Sequence, residues 1–302
     1  MIQAFAAAAA WLVLSAGLNA AEAAEKAIAS PSVVPWTEFR LQAEKLVGRV
    51  TADVRIEPEP TASFPPGPWP ALRGEPIRPE GSTALKLSIS VTIEPRGMAP
   101  LRMENRLWFD PASGAPLRLI RTRTGTGDYA QWFVFGREEV VRRQYEPANA
   151  LQAKGPPERW TRISENAYAF RSERCPSPAE TSMLVYLLSD AVARGALELA
   201  PRCVFHKRQL HRLSFRTQRE DRVAYDYLER SEAGSRRRSG AGDAVTIRIE
   251  SSPVGSYRGS VEPWFKDGFL TISADGHLPL AVACDLPVVG HVELRLEEIR
   301  FD

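Results

Sequence analysis

The chain has 302 residues, of which 44% are hydrophobic and 25% charged, with 24 prolines, 20 glycines and 3 cysteines. This composition is typical of a globular protein and excludes collagen-like, disulfide-dense and mainly disordered classes. The 39 Lys and Arg residues nearly balance the 37 Asp and Glu residues, which leaves a net charge of +2. We therefore do not expect a nucleic-acid partner, because such proteins use a clear basic excess to neutralise phosphates.

The first 23 residues have the features of an export signal. Residues 2–21 form an apolar run without Lys or Arg, and Ala21-Glu22-Ala23 places small residues at the alternate positions of a signal peptidase site. We predict a cleaved signal peptide over residues 1–23, a flexible segment over 24–35 and a periplasmic location without a stable membrane span after cleavage. The alternative is a retained anchor, because the run just reaches the roughly 20 apolar residues that a span needs.

Alternation of apolar and polar residues with a period of two dominates the rest of the chain and predicts one β-rich domain over residues 36–302. The predicted strands are 84–93, 101–109, 116–124, 129–136, 139–146, 211–218, 222–230, 244–251, 268–274, 278–284 and 290–299. Short turn sequences such as Asp275-Gly276 join them and indicate an antiparallel meander. Residues 231–243 are polar and are predicted as a connection.

One segment has helical spacing instead. Ser177 fits an N-cap with Glu180 three residues later, Met183 and Leu184 begin an apolar stripe, and Gly195 can end the helix. We predict one amphipathic helix near 178–194 that buries its apolar face against the sheet. The predicted fold class is therefore mainly β, with a curved antiparallel sheet or half-open β-barrel wrapped around one amphipathic α-helix.

Residues 58–82 carry eight prolines and are predicted as an insert without regular structure. One interpretation is a stiff loop. The other is an arm that docks a partner through Phe64 and Trp69.

The sequence offers no constellation of residues for catalysis or metal binding. The four histidines, at positions 206, 211, 277 and 291, have no metal-ligand spacing, and no Gly-x-Ser-x-Gly motif or P-loop is present. We predict a non-enzymatic protein without a metal site or cofactor. In an oxidising compartment we expect a disulfide between Cys175 and Cys203, which bracket the predicted helix, and a free buried thiol at Cys284.

Aromatic residues give the strands 101–109 and 129–136 two apolar faces. Such strands either line an enclosed space for an apolar ligand or meet a second packed layer. On the first interpretation, the candidate ligand-lining residues are Trp108, Trp132, Phe135, Tyr168, Phe170, Leu184 and Leu188.

Six segments carry a resemblance to a known family: WFDPASGAPLR (108–118), VFHKRQLHRLSF (204–215), AYDYLE (224–229), AVTIRIE (244–250), FLTISADGHLPL (269–280) and VGHVEL (289–294). They resemble the exported bacterial family known as domain of unknown function 3108, in which a strand ends in an Asp-Gly turn, followed by Leu-Pro and a final strand that begins with Gly. The resemblance covers residues 36–302. It implies a fold similar to the lipoprotein-carrier half-barrels of the bacterial periplasm, which hold acyl chains, and it supplies no catalytic residues.

Two functional hypotheses follow. The first is an exported protein that binds a lipid or another apolar small molecule in a half-barrel. The second is a structural or interaction module of the cell envelope that docks an envelope protein through the 58–82 insert.

Overall fold

A computed structural model of the chain describes residues 34–46, 48–169, 179–206, 209–254, 268–286 and 289–301. Within these ranges the strands are β1 (Trp36–Lys45), β2 (Gly48–Pro60), β3 (Thr83–Pro95), β4 (Leu101–Phe109), β5 (Pro116–Thr124), β6 (Tyr129–Phe135), β7 (Glu139–Glu146), β8 (Arg162–Ala169), β9 (Ala179–Glu180), β10 (Arg202–His206), β11 (Gln209–Ser231), β12 (Gly234–Pro253), β13 (Gly268–Ser273), β14 (Pro279–Leu286) and β15 (Gly290–Phe301). The α-helices are α1 (Ala150–Ala153) and α2 (Leu184–Ala193), and 3-10 turns cover Thr61–Ser63, Pro157–Arg159 and Thr181–Met183. Residues 1–33 lie outside the described ranges, so the signal peptide stays a prediction.

All of these strands belong to one sheet, which is antiparallel apart from two short parallel pairings. Strands β1 to β8 form one meander, β10 to β15 form another, and β1 joins the two by pairing with β15 from Trp36 opposite Phe301 onward. The sheet curves around helix α2. The predicted class, a mainly β fold with a curved antiparallel sheet around one amphipathic helix, is confirmed.

Strand β11 bends back to make a second contact with the sheet. Its residues Leu228 to Arg230 pair in parallel with β15, so β11, β12, β13, β14 and β15 form a closed circuit. The bend lies at a β-bulge between Glu220 and Val223, where Arg222 has a φ of 62°. A bulge of this kind bends the strand and increases its local twist. Residues 231–243, predicted as a connection, instead continue β11 and β12 as one long hairpin.

The proline-rich insert is shorter than predicted, because Pro58 and Pro60 belong to strand β2 and pair with Leu85 and Thr83 of β3. Strand β1 pairs with β2 only as far as Arg55, so the last residues of β2 have a neighbouring strand on one side only. A strand tolerates proline where one edge needs no N–H donor. The prediction that the whole of 58–82 lacks regular structure is therefore wrong for its first residues.

Helix α2 is also shorter than the predicted helix near 178–194. Ala179 and Glu180 form the short strand β9, and the Glu180 side chain caps the following turn by accepting the N–H of Ser182 at 2.7 Å. Ser177 itself lies outside the described residues. Gly195 follows the helix with a φ of +77°, as predicted for its end. Neither described α-helix has the length and apolar character of a membrane span.

The two faces of the sheet carry two separate hydrophobic clusters. The inner cluster packs the concave face against helix α2, whose Leu188 and Val192 are buried. The outer cluster consists of Trp108, Ile120, Ala130, Trp132, Tyr145 and Trp160, with Phe64 and Trp69 packed against it. The insert thus covers the outer face, which explains why the central strands are apolar on both sides.

Candidate functional site

An apolar cleft of about 180 Å³ lies between helix α2 and the concave face of the sheet. One wall comes from β1, β2 and β3, the opposite wall from β12 to β15, and helix α2 with the turn before it contributes the third. Several apolar side chains in these walls are only partly buried: Ile89, Val91, Val185, Phe269, Val282 and Leu286. Partly exposed apolar side chains that converge on one concave space are the usual lining of a site for an apolar group.

The cleft contains no charged side chain. Among its seventeen lining residues, those with polar side chains are Thr181, Ser182 and Cys284. An uncharged lining favours apolar groups, because an ion that enters it loses its hydration without gaining a partner.

Cys284 is a free thiol, as predicted, and lies in the wall formed by β14. Burial, reinforced by the charge of Asp285, raises the pKa of the Cys284 thiol to about 11. The thiol is therefore protonated near neutral pH, and the cleft holds no activated thiolate nucleophile at this position.

A network of polar side chains fixes the start of helix α2 against the sheet. The Arg121 guanidinium donates to Glu180 Oε1 at 2.8 Å and to Asn105 Oδ1 at 3.1 Å. The Asn105 amide in turn donates to Ser182 Oγ at 3.1 Å. Glu180 is only 1% exposed, so its buried carboxylate depends on the Arg121 guanidinium for stabilisation. Strands β4 and β5 thereby position Ser182 in the wall of the cleft.

The sequence-predicted lining residues on the inner face lie at different depths. Leu184 lines the cleft, whereas Leu188, one turn further along the helix, and Phe135 on β6 are buried in the inner cluster. Tyr168 packs against Phe205, with their ring centroids 5.3 Å apart. Phe170 lies outside the described residues. Leu184 is thus the one described candidate that the structure places in the cleft wall.

Trp108 and Trp132 lie on the opposite face of the sheet, in the outer cluster. The ring of Trp108 is 5.9 Å from that of Phe64 and 6.2 Å from that of Trp69, measured between centroids. The Arg118 guanidinium lies 5.1 Å and 4.9 Å from the same two rings and adds a cation–π contact to each.

Polar contacts also hold the proline-rich segment on the outer face. The buried Glu139 carboxylate accepts the backbone N–H groups of Arg73 and Gly74 at 2.5 Å and 2.9 Å, and Arg143 donates to the carbonyl of Pro68 at 3.1 Å. Phe64 and Trp69, the residues considered for partner docking, are therefore engaged within the chain itself.

Most of the cleft lining was absent from the sequence-based candidates. Ile89 and Val91 share one face of a correctly predicted strand, but alternation alone does not show which other strands face them. Phe39 and Leu41 belong to β1, which the sequence analysis did not predict, and they meet β12 to β15 only because β1 pairs with β15. The signal for β2 was present in the alternation of Val50, Ala52 and Val54, all of which are buried.

The histidines with described side chains lie away from the cleft and from one another. His211 is buried on β11, with its Nδ1 3.0 Å from Ser251 Oγ. His277 pairs with Asp275 in the turn before β14. His291 on β15 pairs with Asp285 near the other end of β14, so most of that strand separates the two histidines. Cys203 lies on β10, and Cys175 lies outside the described residues, so the disulfide between them stays a prediction.

Comparison with known proteins identifies no family for this chain. No family model matches it, and no curated protein matches it. The crystal structure of a beta-barrel-like protein of the domain of unknown function DUF1849 from Brucella abortus is similar at 7% sequence identity and a TM-score of 0.47, over 90% of this chain and 100% of that one. The resemblance to domain of unknown function 3108 stays a prediction.

Proposed function

We propose that this protein is an exported, non-enzymatic periplasmic protein that binds an apolar or lipidic ligand in the cleft beneath helix α2. The observation that carries the proposal is an uncharged cleft lined by partly exposed apolar side chains from both walls and from the helix. Removing an apolar group from water into such a cleft contributes about 0.8 kcal/mol for each buried CH₂.

The volume of the cleft limits what it can enclose. At about 180 Å³ it is slightly larger than a 150 Å³ protein cavity that binds benzene, and smaller than the roughly 300–1,000 Å³ of pockets that enclose drug-sized ligands. The cleft therefore accommodates one ring or the end of one chain. A longer lipid would insert its tip and leave the rest outside.

Export is part of the proposal and is supported by the sequence. Residues 1–23 supply the signal peptide, and a Cys175–Cys203 disulfide would suit the oxidising periplasm. The proposal includes a single β-rich domain over residues 36–302. It also includes membership of the family known as domain of unknown function 3108.

Cys284 provides a reporter for the test, because its thiol lies in the cleft wall. The rate at which a small alkylating reagent modifies Cys284 is measured by mass spectrometry, with and without toluene. We expect toluene to slow the modification in a saturable manner. Native mass spectrometry of the protein purified from the periplasm then shows whether a cellular lipid co-purifies with it.

A variant that fills the cleft tests whether toluene binds there. Ala52 lies in the wall and is buried, so Ala52→Leu places a larger side chain in the space for the ligand. Ala43→Leu is the matched control, because Ala43 is a partly buried alanine of β1 that lies outside the cleft lining. We expect Ala52→Leu to abolish protection by toluene and Ala43→Leu to preserve it. Unchanged alkylation of the wild-type protein at saturating toluene would refute the proposed function.

A further inference from the structure

A second cavity, of about 460 Å³, lies on the side of the sheet opposite the apolar cleft. Strands β12 to β15 form its floor, and residues 223–226 of β11, beyond the bulge, form its roof. We call this space the hairpin cavity. Its volume lies within the roughly 300–1,000 Å³ of pockets that enclose small molecules, and such pockets are common at the mouths of closed strand circuits.

Short side chains keep the floor of the hairpin cavity open. Thr246 pairs with Thr271, and Thr271 pairs with Ala281, so these three side chains share one face of the sheet. Their neighbours Ile247 and Leu270 point to the other face by alternation and belong to the inner cluster. A row of two threonines and an alanine fills little of the space between floor and roof, which leaves the cavity.

The two threonines have one hydroxyl proton more than they use between them. Thr246 Oγ1 and Thr271 Oγ1 lie 2.9 Å apart, and one of them donates to the other. This bond uses one of the two hydroxyl protons, and neither hydroxyl has a second hydrogen-bond partner among the described residues. Both residues are buried, at 6% and 5% exposure. A buried donor without an acceptor is costly, so the floor of the cavity suits a ligand that supplies an oxygen atom.

Two aromatic rings border the hairpin cavity, one in its roof and one in its floor. The Tyr225 ring in the roof lies against β12, where a Cβ atom at Gly240 would be 2.9 Å from its hydroxyl oxygen and one at Gly242 would be 3.6 Å from its Cε1. The two glycines thus support this ring while it stays partly exposed. Phe269, which also borders the apolar cleft, contributes a partly exposed ring from the floor. The negative faces of such rings attract the weakly positive C–H groups of a saturated ring.

Two carboxylates of the lining are already paired with guanidiniums. Glu293 and Arg295 lie 2.7 Å apart, and Asp226 and Arg237 also lie 2.7 Å apart. A paired carboxylate keeps lone pairs, and a paired guanidinium keeps N–H groups, for further hydrogen bonds. These pairs therefore suit neutral hydroxyl groups, which form hydrogen bonds to them without displacing the existing partner.

The remaining charged residues of the lining, Glu220 and Arg248, have opposite signs. A ligand ion of either sign would therefore enter a rim that carries its own sign as well as the opposite one, and it would lose part of its hydration. Because the balanced rim gives an ion no net attraction, the hairpin cavity favours a neutral ligand over a charged one.

We propose that the hairpin cavity is a second binding site, for a neutral polyhydroxylated ligand of one or two sugar rings. The C–H face of a sugar ring packs against Tyr225 or Phe269, and one sugar oxygen accepts the unused proton of the threonine pair. Other sugar hydroxyls form hydrogen bonds with the paired charges at the rim. The cavity has more than twice the volume of the apolar cleft, in which one ring fits, so it has room for a second ring.

Four neutral sugars test the proposal: glucose, galactose, mannose and N-acetylglucosamine. Their dissociation constants are measured on the purified protein at pH 7 by titration with saturation-transfer NMR. We expect at least one of them to bind saturably. Glucosamine and glucuronate add a positive and a negative charge to a similar ring, and each should bind about threefold more weakly than the best neutral sugar.

A double variant without the floor hydroxyls tests their role. Thr246→Val combined with Thr271→Val removes both partners of one hydrogen bond and keeps their shape, which is nearly neutral for stability. This variant should bind the best neutral sugar about fivefold more weakly, the effect of one net hydrogen bond. Thr51→Val combined with Thr92→Val is the matched control, because these threonines also pair across neighbouring strands but lie outside the lining. It should leave the dissociation constant unchanged.

A larger side chain on the floor tests the location of the sugar. Ala281→Leu places more volume in the hairpin cavity and should abolish binding, whereas Ala43→Leu on β1, outside the lining, should preserve it. Urea denaturation checks that both variants fold. If Ala281→Leu does not fold, the threonine double variant decides the location.

Three results would overturn the proposal. The first is a lack of binding for all four neutral sugars. The second is tighter binding of glucosamine or glucuronate than of every neutral sugar, which would indicate a site for an ion. The third is unchanged binding in the threonine double variant, which would place the sugar outside the hairpin cavity. None of these results depends on toluene binding in the apolar cleft, so failure here leaves the function proposed above intact.

Discussion

Helix α2 ends against the turn between β13 and β14, and a single glycine permits this contact. A Cβ atom at Gly276 would lie 2.3 Å from the backbone nitrogen of Ala193 and 2.5 Å from its Cα. Gly276 also has a φ of +77°, in the left-handed region. Gly276→Ala therefore combines two costs: about 1–2 kcal/mol for the backbone conformation and about 1–3 kcal/mol for the overlap with the helix.

A glycine in a second turn separates the free-energy cost of the overlap from that of the backbone conformation. Gly97, between β3 and β4, has a φ of +76°, and a Cβ atom there would meet nothing within 4 Å. Gly97→Ala should therefore cost only about 1–2 kcal/mol. We expect the two variants to differ by about 1–3 kcal/mol in their free energy of unfolding, which is the contribution of the contact with Ala193.

Urea denaturation measures both variants, and equal m-values are required for the comparison to hold. Gly276→Ala should also reduce the protection of Cys284 by toluene, because the helix that it displaces forms one wall of the cleft. An equal loss of stability in Gly276→Ala and Gly97→Ala would refute the argument. The end of the helix would then not be docked on this turn.

Three other substitutions or measurements follow from individual contacts. Glu180→Ala leaves the partly buried Arg121 without its carboxylate and should cost about 3 kcal/mol of unfolding free energy, measured by urea denaturation. Replacing both residues with Met should recover most of this loss. Equal losses in the single and the double variant would argue against a coupled pair. Arg222→Gly should be about 0.5–1 kcal/mol more stable than Arg222→Ala, because glycine tolerates the φ of 62° at the bulge. Equal stabilities of the two variants would mean that the bulge is unstrained. Alkylation of Cys284 should accelerate about tenfold per pH unit up to pH 10, because its pKa is raised to about 11, and a plateau near pH 9 would contradict this pKa.

Local patterns were sufficient to predict the strands that lie between clear turns. Strands β4, β5 and β7 have the predicted bounds, because turn sequences that contain Gly or Pro flank each of them. The start of helix α2 could not be predicted in this way. The capping carboxylate of Glu180 is held by Arg121, a partner 59 residues away, and the preceding residues pair with β10 instead of extending the helix.

The candidate site depended on pairings that no local pattern encodes. The sequence showed that the strands around Trp108 and Trp132 are apolar on both faces, but it did not show what covers each face. The structure places Phe64 and Trp69 over the outer face, so these tryptophans belong to a packed layer. The cleft forms on the inner face, where β1 pairs with β15, the first and the last of the described strands.

Helix α2 is too short to cover the whole concave face of the sheet. Helix α2 has 10 residues and spans roughly 15 Å, whereas β2 and β3 have 13 residues each and span roughly 43 Å. A helix of this length leaves part of the concave face uncovered, and Ile89 and Val91 lie partly exposed in the cleft there.

Filling this space should make the protein more stable, because a larger side chain at Ala52 buries apolar surface that the short helix leaves open. Binding sites commonly lower the stability of a protein. An unfilled space beside Ala52 is therefore expected if the cleft is a site for a ligand. We therefore expect Ala52→Leu to raise the free energy of unfolding by about 1 kcal/mol while it abolishes toluene protection. A destabilised Ala52→Leu variant that still binds toluene would show that the space beside Ala52 is a packing gap and that the ligand lies elsewhere.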